Sequence, residues 1–270
     1  MSETTQTIKP GIYDGIPSAE YHAGPGVSNT DLGLLLRSPA HYKAKAFKED
    51  TPAMAFGRLL HTAILEPHLI EEEYAVWCGM DRRRKEGKLA YAEFQVSLNG
   101  RDEITQEMLD KANEIAASVH ATPQARALLQ GGKREQSIYW IDEMTGVLCK
   151  CRPDYLLPDG TMIDLKSTED ARIEKFQRSA YDYEYHRQGS FYLEGGRQVL
   201  GSGDVPFIWI AVEKAQPFAI KPYNMNPAQA EMGQHRWRTA LGIYQSCVES
   251  DSWPSYPGKI EPLGLPRWAK

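Results

Sequence analysis

Two carboxylates and a lysine lie close together in residues 149–168, which read CKCRPDYLLPDGTMIDLKST. Two apolar runs typical of strands end at Asp154 and in Asp164 and Lys166, and the PDG turn at 158–160 predicts a tight antiparallel hairpin. Because side chains alternate along a strand, Asp164 and Lys166 point the same way while the leucine between them points into the core. This arrangement predicts a site for a hard cation beside a positive charge, chemistry that suits phosphodiester hydrolysis.

Two predicted helices carry polar side chains four residues apart, a spacing that puts both on one face. The helix over residues 52–65 has an apolar stripe and carries Gly57 and His61, which can border one cavity. A second helix carries Gln188 and Tyr192. Taken alone, each feature has a simpler explanation: a half-buried histidine bonded to a backbone carbonyl, or a surface ion pair for the D-x-K element. Their order and spacing together are hard to obtain by chance.

The elements around these residues predict an α/β fold with a sheet flanked by helices. Residues 11–132 form a mainly helical part, with an irregular arm at 11–28, a capping box at Ser28 and Asp31, and helices over 39–47, 52–65, 90–97, 106–120 and 123–129. Residues 133–270 form the sheet core and C-terminal helices, with strands over 135–141, 147–152, 205–212 and 218–222 and helices from Thr168 or Asp170 to 181, over 184–200 and over 227–249. We expect one domain over 11–270 behind a disordered leader at 1–10.

Charge argues against a DNA-binding role based on overall attraction. The 270 residues include 31 basic and 36 acidic side chains, a formal net charge of −5. Binding to DNA must therefore depend on local basic patches and on bound metal. One patch is visible, formed by Arg82, Arg83, Arg84 and Lys85, and these are candidate DNA-binding residues. The alternative is a solvated loop or helix start.

The sequence gives no sign of a membrane or secreted protein. We find no apolar run long enough to cross a bilayer and no signal-peptide pattern at the start. The four cysteines, Cys78, Cys149, Cys151 and Cys247, show no disulfide framework. A reduced, cytoplasmic setting is therefore expected.

In order and spacing these motifs resemble the RecB-type branch of the PD-(D/E)xK nuclease superfamily, whose pattern is G-x-x-x-H, then D, then D/E-x-K, then Q-x-x-x-Y. The sequence is more closely similar to RecE-type nuclease domains (the exonuclease VIII family). The resemblance rests on YHAGPGVS (21–28), SIYW (137–140), CRPD (151–154), YDYEYHRQ (181–188) and LPRWAK (265–270). It covers about residue 11 to the end, and every motif residue is present.

The resemblance implies a restriction-endonuclease-like core with a central mixed β-sheet and an N-terminal helical region. It implies a Mg²⁺-dependent exonuclease that digests the 5′-ended strand of linear double-stranded DNA and leaves 3′ overhangs for recombination by strand annealing, as prophage enzymes of this kind do. It also implies a homo-oligomeric ring around the DNA, a toroidal tetramer, and a single-strand annealing partner of the RecT type.

Carried over by motif, the resemblance implies that His61, Asp154, Asp164 and the backbone carbonyl of Leu165 bind metal. Lys166 would be the catalytic lysine, and Gln188 and Tyr192 would line the cleft beside the scissile phosphate. Glu135, at the start of a predicted strand, is a further candidate ligand, although a strand-edge glutamate is more often solvated. Carboxylate and carbonyl oxygens suit Mg²⁺, a histidine would also suit Mn²⁺, and two ions are expected when DNA is bound.

Three alternatives remain. Some RecB-branch relatives hold an iron–sulfur cluster with four cysteines, but here two cysteines lie two apart on a strand and no three-cysteine cluster follows the Q-x-x-x-Y helix, so packing roles are favoured. A single-strand or structure-specific nuclease could use the same residues, because cleft shape decides the substrate. The third alternative is an inactive DNA-binding or partner-docking module, which would not need the complete motif set.

Overall fold

A computed structural model describes residues 8–46, 51–77, 79–201 and 203–265 of the chain. The helices, α1 to α11 in chain order, span Ser18–Ala23, Asn29–Arg37, Pro39–Lys43, Pro52–Leu65, Ile70–Glu73, Lys85–Ser97, Gln106–Ala121, Pro123–Leu128, Ile173–Asp182, Tyr185–Leu200 and Pro227–Ser250. The strands, β1 to β10, span Gly11–Tyr13, Tyr74–Trp77, Asp102–Thr105, Lys133–Arg134, Ser137–Ile141, Leu148–Cys151, Tyr155–Leu156, Met162–Thr168, Phe207–Glu213 and Ile220–Asn224. The α/β class is confirmed.

The main sheet has five strands in the order β10-β9-β8-β7-β4. Strand β8 runs parallel to β9, and the other neighbouring pairs are antiparallel, so the predicted mixed sheet flanked by helices is confirmed. The predicted hairpin is present as β7 and β8, with Tyr155 opposite Ile163. Two details of its prediction were wrong. Asp154 precedes β7 rather than ending a strand of the hairpin, and Asp164 lies within β8, which continues to Thr168.

A second, three-stranded sheet has the order β1-β5-β6. The N-terminal arm was predicted to be irregular, but Gly11–Tyr13 pairs antiparallel with Ser137–Tyr139, and α1 begins within the arm, at Ser18. The strand predicted over 135–141 begins only at Ser137. Backbone pairing with a distant strand supplies order that the Gly- and Pro-rich arm cannot provide by itself.

Lys150, on β6, anchors the N-terminal arm to the sheet through hydrogen bonds to its backbone. Its side chain is only 2% exposed, and its Nζ donates hydrogen bonds to the backbone carbonyls of Tyr21 and Gly24, each at 2.6 Å. The ammonium also lies 4.9 Å from the ring centroid of Tyr21. Within the part of the chain that the structure describes, no carboxylate forms an ion pair with it. Burial accordingly lowers the pKa of Lys150 to about 8.

The main sheet is covered on both faces, and the alternation of side chains along β8 decides which residues face which layer. Met162 packs with α2, α10 and α11, whereas Ile163 and Leu165 pack with α4 and α7. The prediction that Leu165 points into the core is thus confirmed. Asp164 and Lys166 share the face of Met162, which is the face that α10 covers.

Helix boundaries differ from the predictions in two places that bear on the site. Helix α6 begins at Lys85 rather than near residue 90, so the basic patch lies at its start. Neither Thr168 nor Asp170 caps α9, which begins at Ile173 after Arg172 in the N-cap position. The parallel pair β2 and β3 was not predicted. Its few strand residues are separated by α6 and lack a strong alternating pattern.

Cys149, Cys151 and Cys247 are buried and free, as packing residues would be. Cys78, residues 1–7 of the predicted leader, the end of the helix predicted over 39–47 and residues 266–270 lie outside the described residues. Among the helices that the structure describes, none combines the length and apolar character needed to cross a membrane.

Candidate metal centre and active site

The D-x-K element is a buried ion pair on the helix-covered face of β8. Oδ2 of Asp164 lies 2.5 Å from Nζ of Lys166, and Asp164 is only 2% exposed. Its other oxygen, Oδ1, accepts a 2.7 Å hydrogen bond from Nε2 of Gln188, on α10. Extended backbone brings the lysine to the acid, and the helix crossing the same face brings the amide. The structure therefore joins the third and fourth motifs through one carboxylate.

Asp154 lies between β6 and β7, next to the D-x-K strand. Its Oδ2 accepts a 2.6 Å hydrogen bond from the backbone N–H of Leu165. The same oxygen lies 3.6 Å from Nδ1 of His61, which α4 brings from the opposite layer. The acid of the P-D motif is thus held at the strand that carries the D-x-K motif, and the predicted histidine reaches it from the first third of the chain.

Glu135 completes a cluster of three potential ligands. It lies between β4 and β5 with a φ of +50°, a left-handed conformation that is uncommon for a residue with a side chain. Its backbone N–H donates a 3.1 Å hydrogen bond to the carbonyl of Asp154. Ligand atoms of His61, Glu135 and Asp154 all lie within 4.8 Å of one another. A strained turn thereby directs Glu135 towards the other acids.

The electrostatics of this cluster favour a bound cation. Burial raises the pKa of Glu135 to about 8, and the charge of Asp154 adds to the effect. Burial also raises the pKa of Asp154 to about 6, with His61 opposing and Asp164 reinforcing the shift. Burial alone would lower the pKa of Lys166, but Asp164 and Asp154 outweigh it, so the pKa lies above its usual value. A single lysine therefore does not offset the negative charge of three acids.

The donor set fits a divalent cation. Carboxylate oxygens are the ligands that Mg²⁺ prefers, and an imidazole nitrogen beside them also suits Mn²⁺. His61, Glu135 and Asp154 supply such atoms within one cluster, and Asp164 is linked to it through the strand that carries Leu165. The carbonyl of Leu165 belongs to the residue between the two D-x-K side chains, and its role as a ligand stays a prediction.

Tyr192 lies one turn beyond Gln188 on the same face of α10. Its ring packs edge to face on Phe207, with centroids 6.0 Å apart. Burial raises the pKa of its hydroxyl well above the usual value, with further contributions from Cys151 and Asp164. The structure therefore brings Tyr192 to the site as a neutral, largely enclosed phenol.

The basic patch has a different environment. The guanidinium of Arg82 lies 4.3 Å from the ring centroid of Tyr91, and Arg83 pairs with Asp81 at 3.0 Å. Arg84 and Lys85 are exposed at the start of α6. No contact among the described residues joins these side chains to the metal cluster, so their role in DNA binding stays a prediction.

A break between two helices was predicted here, with one ending at 181 and the next beginning at 184, and α9 and α10 confirm it, but the geometry of the turn was not predicted. Tyr183 and Glu184 form the turn, and Glu184 has a φ of +54°. Its carboxylate binds the guanidinium groups of Arg187 and Arg236, and Arg187 also donates to Asn29 at 2.9 Å. The turn sets Tyr185 beside the site, with Nζ of Lys166 4.8 Å from its ring centroid. The tyrosines at every second position in YDYEYHRQ were the one sequence feature that could have indicated an aromatic turn at this point.

Comparison with known proteins agrees with this geometry. Residues 28–265 match the model of a family described as a PDDEXK-like domain of unknown function (DUF3799). The fold is similar to a candidate exonuclease from Eubacterium rectale, with a TM-score of 0.59, 14% identity and 88% of each chain covered. A phage-related exonuclease from Haemophilus somnus 129PT aligns over 72% of this chain and 95% of its own at 13% identity, but a TM-score of 0.32 is too low to support an argument. No curated protein gives a significant match.

Proposed function

The chain belongs to this family of PDDEXK-like domains, and from that membership and its site we propose that it is a divalent-metal-dependent DNA exonuclease. One observation carries the proposal. Acids from three separate segments, Glu135, Asp154 and Asp164, converge with His61 and Lys166 at one strand of the main sheet. Such a set of groups is built to hold a cation next to an ammonium, which is what hydrolysis of a phosphodiester requires.

In this mechanism His61, Glu135, Asp154 and Asp164 would hold the cation. When bound, a divalent cation supplies a more acidic water and offsets charge on the phosphate oxygens. Lys166 would remain an ammonium, because its carboxylate neighbours raise its pKa, and would donate hydrogen bonds to the attacking water and to the phosphate. Gln188 would fix the orientation of Asp164 through its hydrogen bond to Oδ1.

The substrate we propose is the end of linear double-stranded DNA. The enzyme would degrade the 5′-ended strand and leave a 3′ single-stranded overhang for strand annealing. Two facts support it: the RecE-type motifs, and the exonuclease description of the E. rectale protein with a similar fold. By the same resemblance we propose a homotetrameric ring and a RecT-type annealing partner. Light scattering should then give a mass near four times the 30.4 kDa of one chain.

Digestion of linear duplexes labelled at one 5′ end or one 3′ end tests the proposal. With Mg²⁺ or Mn²⁺, the 5′ label should be released first as short products, while the 3′-labelled strand shortens progressively from its 5′ end. EDTA should stop both. Early release of the 3′ label would give the opposite polarity. Cleavage confined to single-stranded or hairpin DNA would favour the structure-specific alternative, and DNA binding without cleavage the inactive module.

A further inference from the structure

Tyr183 presents an aromatic ring to solvent next to the proposed active site. It is the first of the two residues between α9 and α10 and is 71% exposed. One face of its ring stacks on Tyr185, with centroids 5.9 Å apart and an angle of 20° between the planes. Tyr185 is itself supported by Phe176 and Trp209, at 6.0 and 6.5 Å. A ring held from below in this way is a prepared stacking surface.

The turn that presents Tyr183 is held rigidly. The backbone of Glu184 adopts a left-handed conformation, which a non-glycine residue keeps only where its surroundings impose it. Here two arginines, Arg187 on α10 and Arg236 on α11, form ion pairs with the carboxylate of Glu184. The tyrosine is therefore exposed on a braced turn rather than on a loose loop, and little ordering would be needed for it to contact a ligand.

The charges beside Tyr183 do not oppose a polyanion. Two acids flank it in the sequence, Asp182 and Glu184. Asp182 lies 3.7 Å from the guanidinium of Arg178, and Glu184 is bound by two arginines. With both carboxylates paired, the surface around the ring is close to neutral. A nucleic acid strand can approach it without strong repulsion.

Resting on the proposed function, we infer that Tyr183 stacks on a base of the DNA strand whose phosphate is cleaved at Lys166. The ring of Tyr185 contacts both Tyr183 and Lys166. Its centroid lies 5.9 Å from the ring centroid of Tyr183 and 4.8 Å from Nζ of Lys166. Successive phosphates of one strand are about 3.4 Å apart along the helix axis, so Tyr183 lies within a few nucleotides of the cleaved bond. Every base has a flat face, and this stacking would hold the strand regardless of sequence.

A double-mutant cycle between the protein and the DNA tests this. Tyr183→Ala should raise the KM for linear duplex about tenfold with little change in kcat, whereas Tyr183→Phe, which keeps the ring, should match the wild type. Abasic sites are then placed in turn at the first four nucleotides of the digested strand. At one position the wild type and Tyr183→Ala should become equal, because the base that the ring contacts is gone.

Tyr181→Ala is the matched control, since Tyr181 is 67% exposed but its ring stacks on His186 rather than on Tyr185. It should behave as the wild type. The inference is overturned if Tyr183→Ala digests intact duplex normally, if its defect persists at every abasic position, or if Tyr183→Phe is equally impaired. A lower mass of Tyr183→Ala in light scattering would instead assign the ring to contacts between copies. A wild-type protein that cleaves no DNA would refute the proposed function, a different result from all of these.

Discussion

The backbone N–H of Leu165 donates a 2.6 Å hydrogen bond to Oδ2 of Asp154, so the strand of the D-x-K motif itself fixes the acid of the P-D motif. The donor belongs to a part of β8 that β7 does not reach, because the pairing of the two strands stops at Ile163, opposite Tyr155, the first residue of β7. A hydrogen bond from a buried N–H to a carboxylate is stronger than one to a neutral acceptor. The spacing of the two acids is therefore set by main chain rather than by side-chain packing.

Lys166→Ala should reduce cleavage at least about a hundredfold while leaving DNA binding largely intact. Among the residues that the structure describes, the ammonium is the one positive group within hydrogen-bond distance of Asp164, and it would stabilise charge that develops during hydrolysis. Single-turnover digestion and a separate binding measurement in Ca²⁺ check this. Lys221→Ala, an exposed lysine on β10, is the matched control and should retain full activity. Digestion by Lys166→Ala near the wild-type rate would disprove the assignment.

Gln188→Ala should raise the Mg²⁺ concentration needed for half-maximal activity by about 10–100-fold, because Asp164 loses the amide that orients it. Gln198→Ala is the control. Gln198 lies on the same helix and donates to another carboxylate, Glu194, at 3.0 Å. Activity titrated with Mg²⁺ compares the two, and equal metal requirements in both variants would contradict the prediction.

The metal-free protein should lose stability as the pH rises from about 5 to 8. The pKa of Asp154 is raised to about 6 and that of Glu135 to about 8, so the folded chain binds these protons more tightly than the unfolded chain. The stabilisation is complete below the ordinary carboxyl pKa of about 4 and is lost as the pH passes through the raised values. Urea unfolding in EDTA measures the change.

Glu135→Gln should flatten this pH dependence and should be the more stable protein at pH 8 in EDTA. Glu143→Gln, at an exposed glutamate in the turn after β5, should leave the dependence unchanged. Saturating Mg²⁺ should restore the stability that the wild type loses at pH 8, because a bound cation favours the ionised carboxylates. If the unfolding free energy of the wild type in EDTA does not change with pH, burial does not raise the pKa values of the two acids.

Gly233→Ala and Gly242→Ala, both on α11, should act in opposite directions. A Cβ at position 233 would lie 2.1 Å from the carbonyl oxygen of His186, on α10, whereas a Cβ at 242 meets nothing within 4 Å. We expect the first to cost about 1–3 kcal/mol or more in unfolding free energy and the second to gain up to about 1 kcal/mol. Thermal or urea unfolding checks this, and a neutral Gly233→Ala would mean that α10 and α11 can separate.

Local patterns were enough to predict the D-x-K strand and its hairpin. A turn signal and alternating side chains determine both, so Asp164 and Lys166 were placed on one face correctly. Helical spacing likewise put Gln188 and Tyr192 on a shared face. What made these predictions possible is that each depends on residues within a few positions of one another.

The remaining parts of the site depend on conformations that residue types do not reveal. Glu135 and Glu184 both adopt left-handed backbone, which is expected of glycine, and each is held there by distant partners. Asp154 was placed at a strand end, although the strand before it belongs to the other sheet. Pairing of β1 with β5 joins segments far apart in the chain, and no local pattern reports such a partner.

The anchoring of the N-terminal arm by Lys150 limits how far the chain can be truncated at its N-terminus and still fold. The family match begins at residue 28 and includes every residue of the metal cluster. A chain begun there would nevertheless lack the carbonyls of Tyr21 and Gly24, which are the acceptors of the buried ammonium of Lys150. An ammonium left in the interior without acceptors is strongly unfavourable. The smallest piece that folds should therefore extend upstream of the matched region to include α1, even though α1 contributes no proposed ligand.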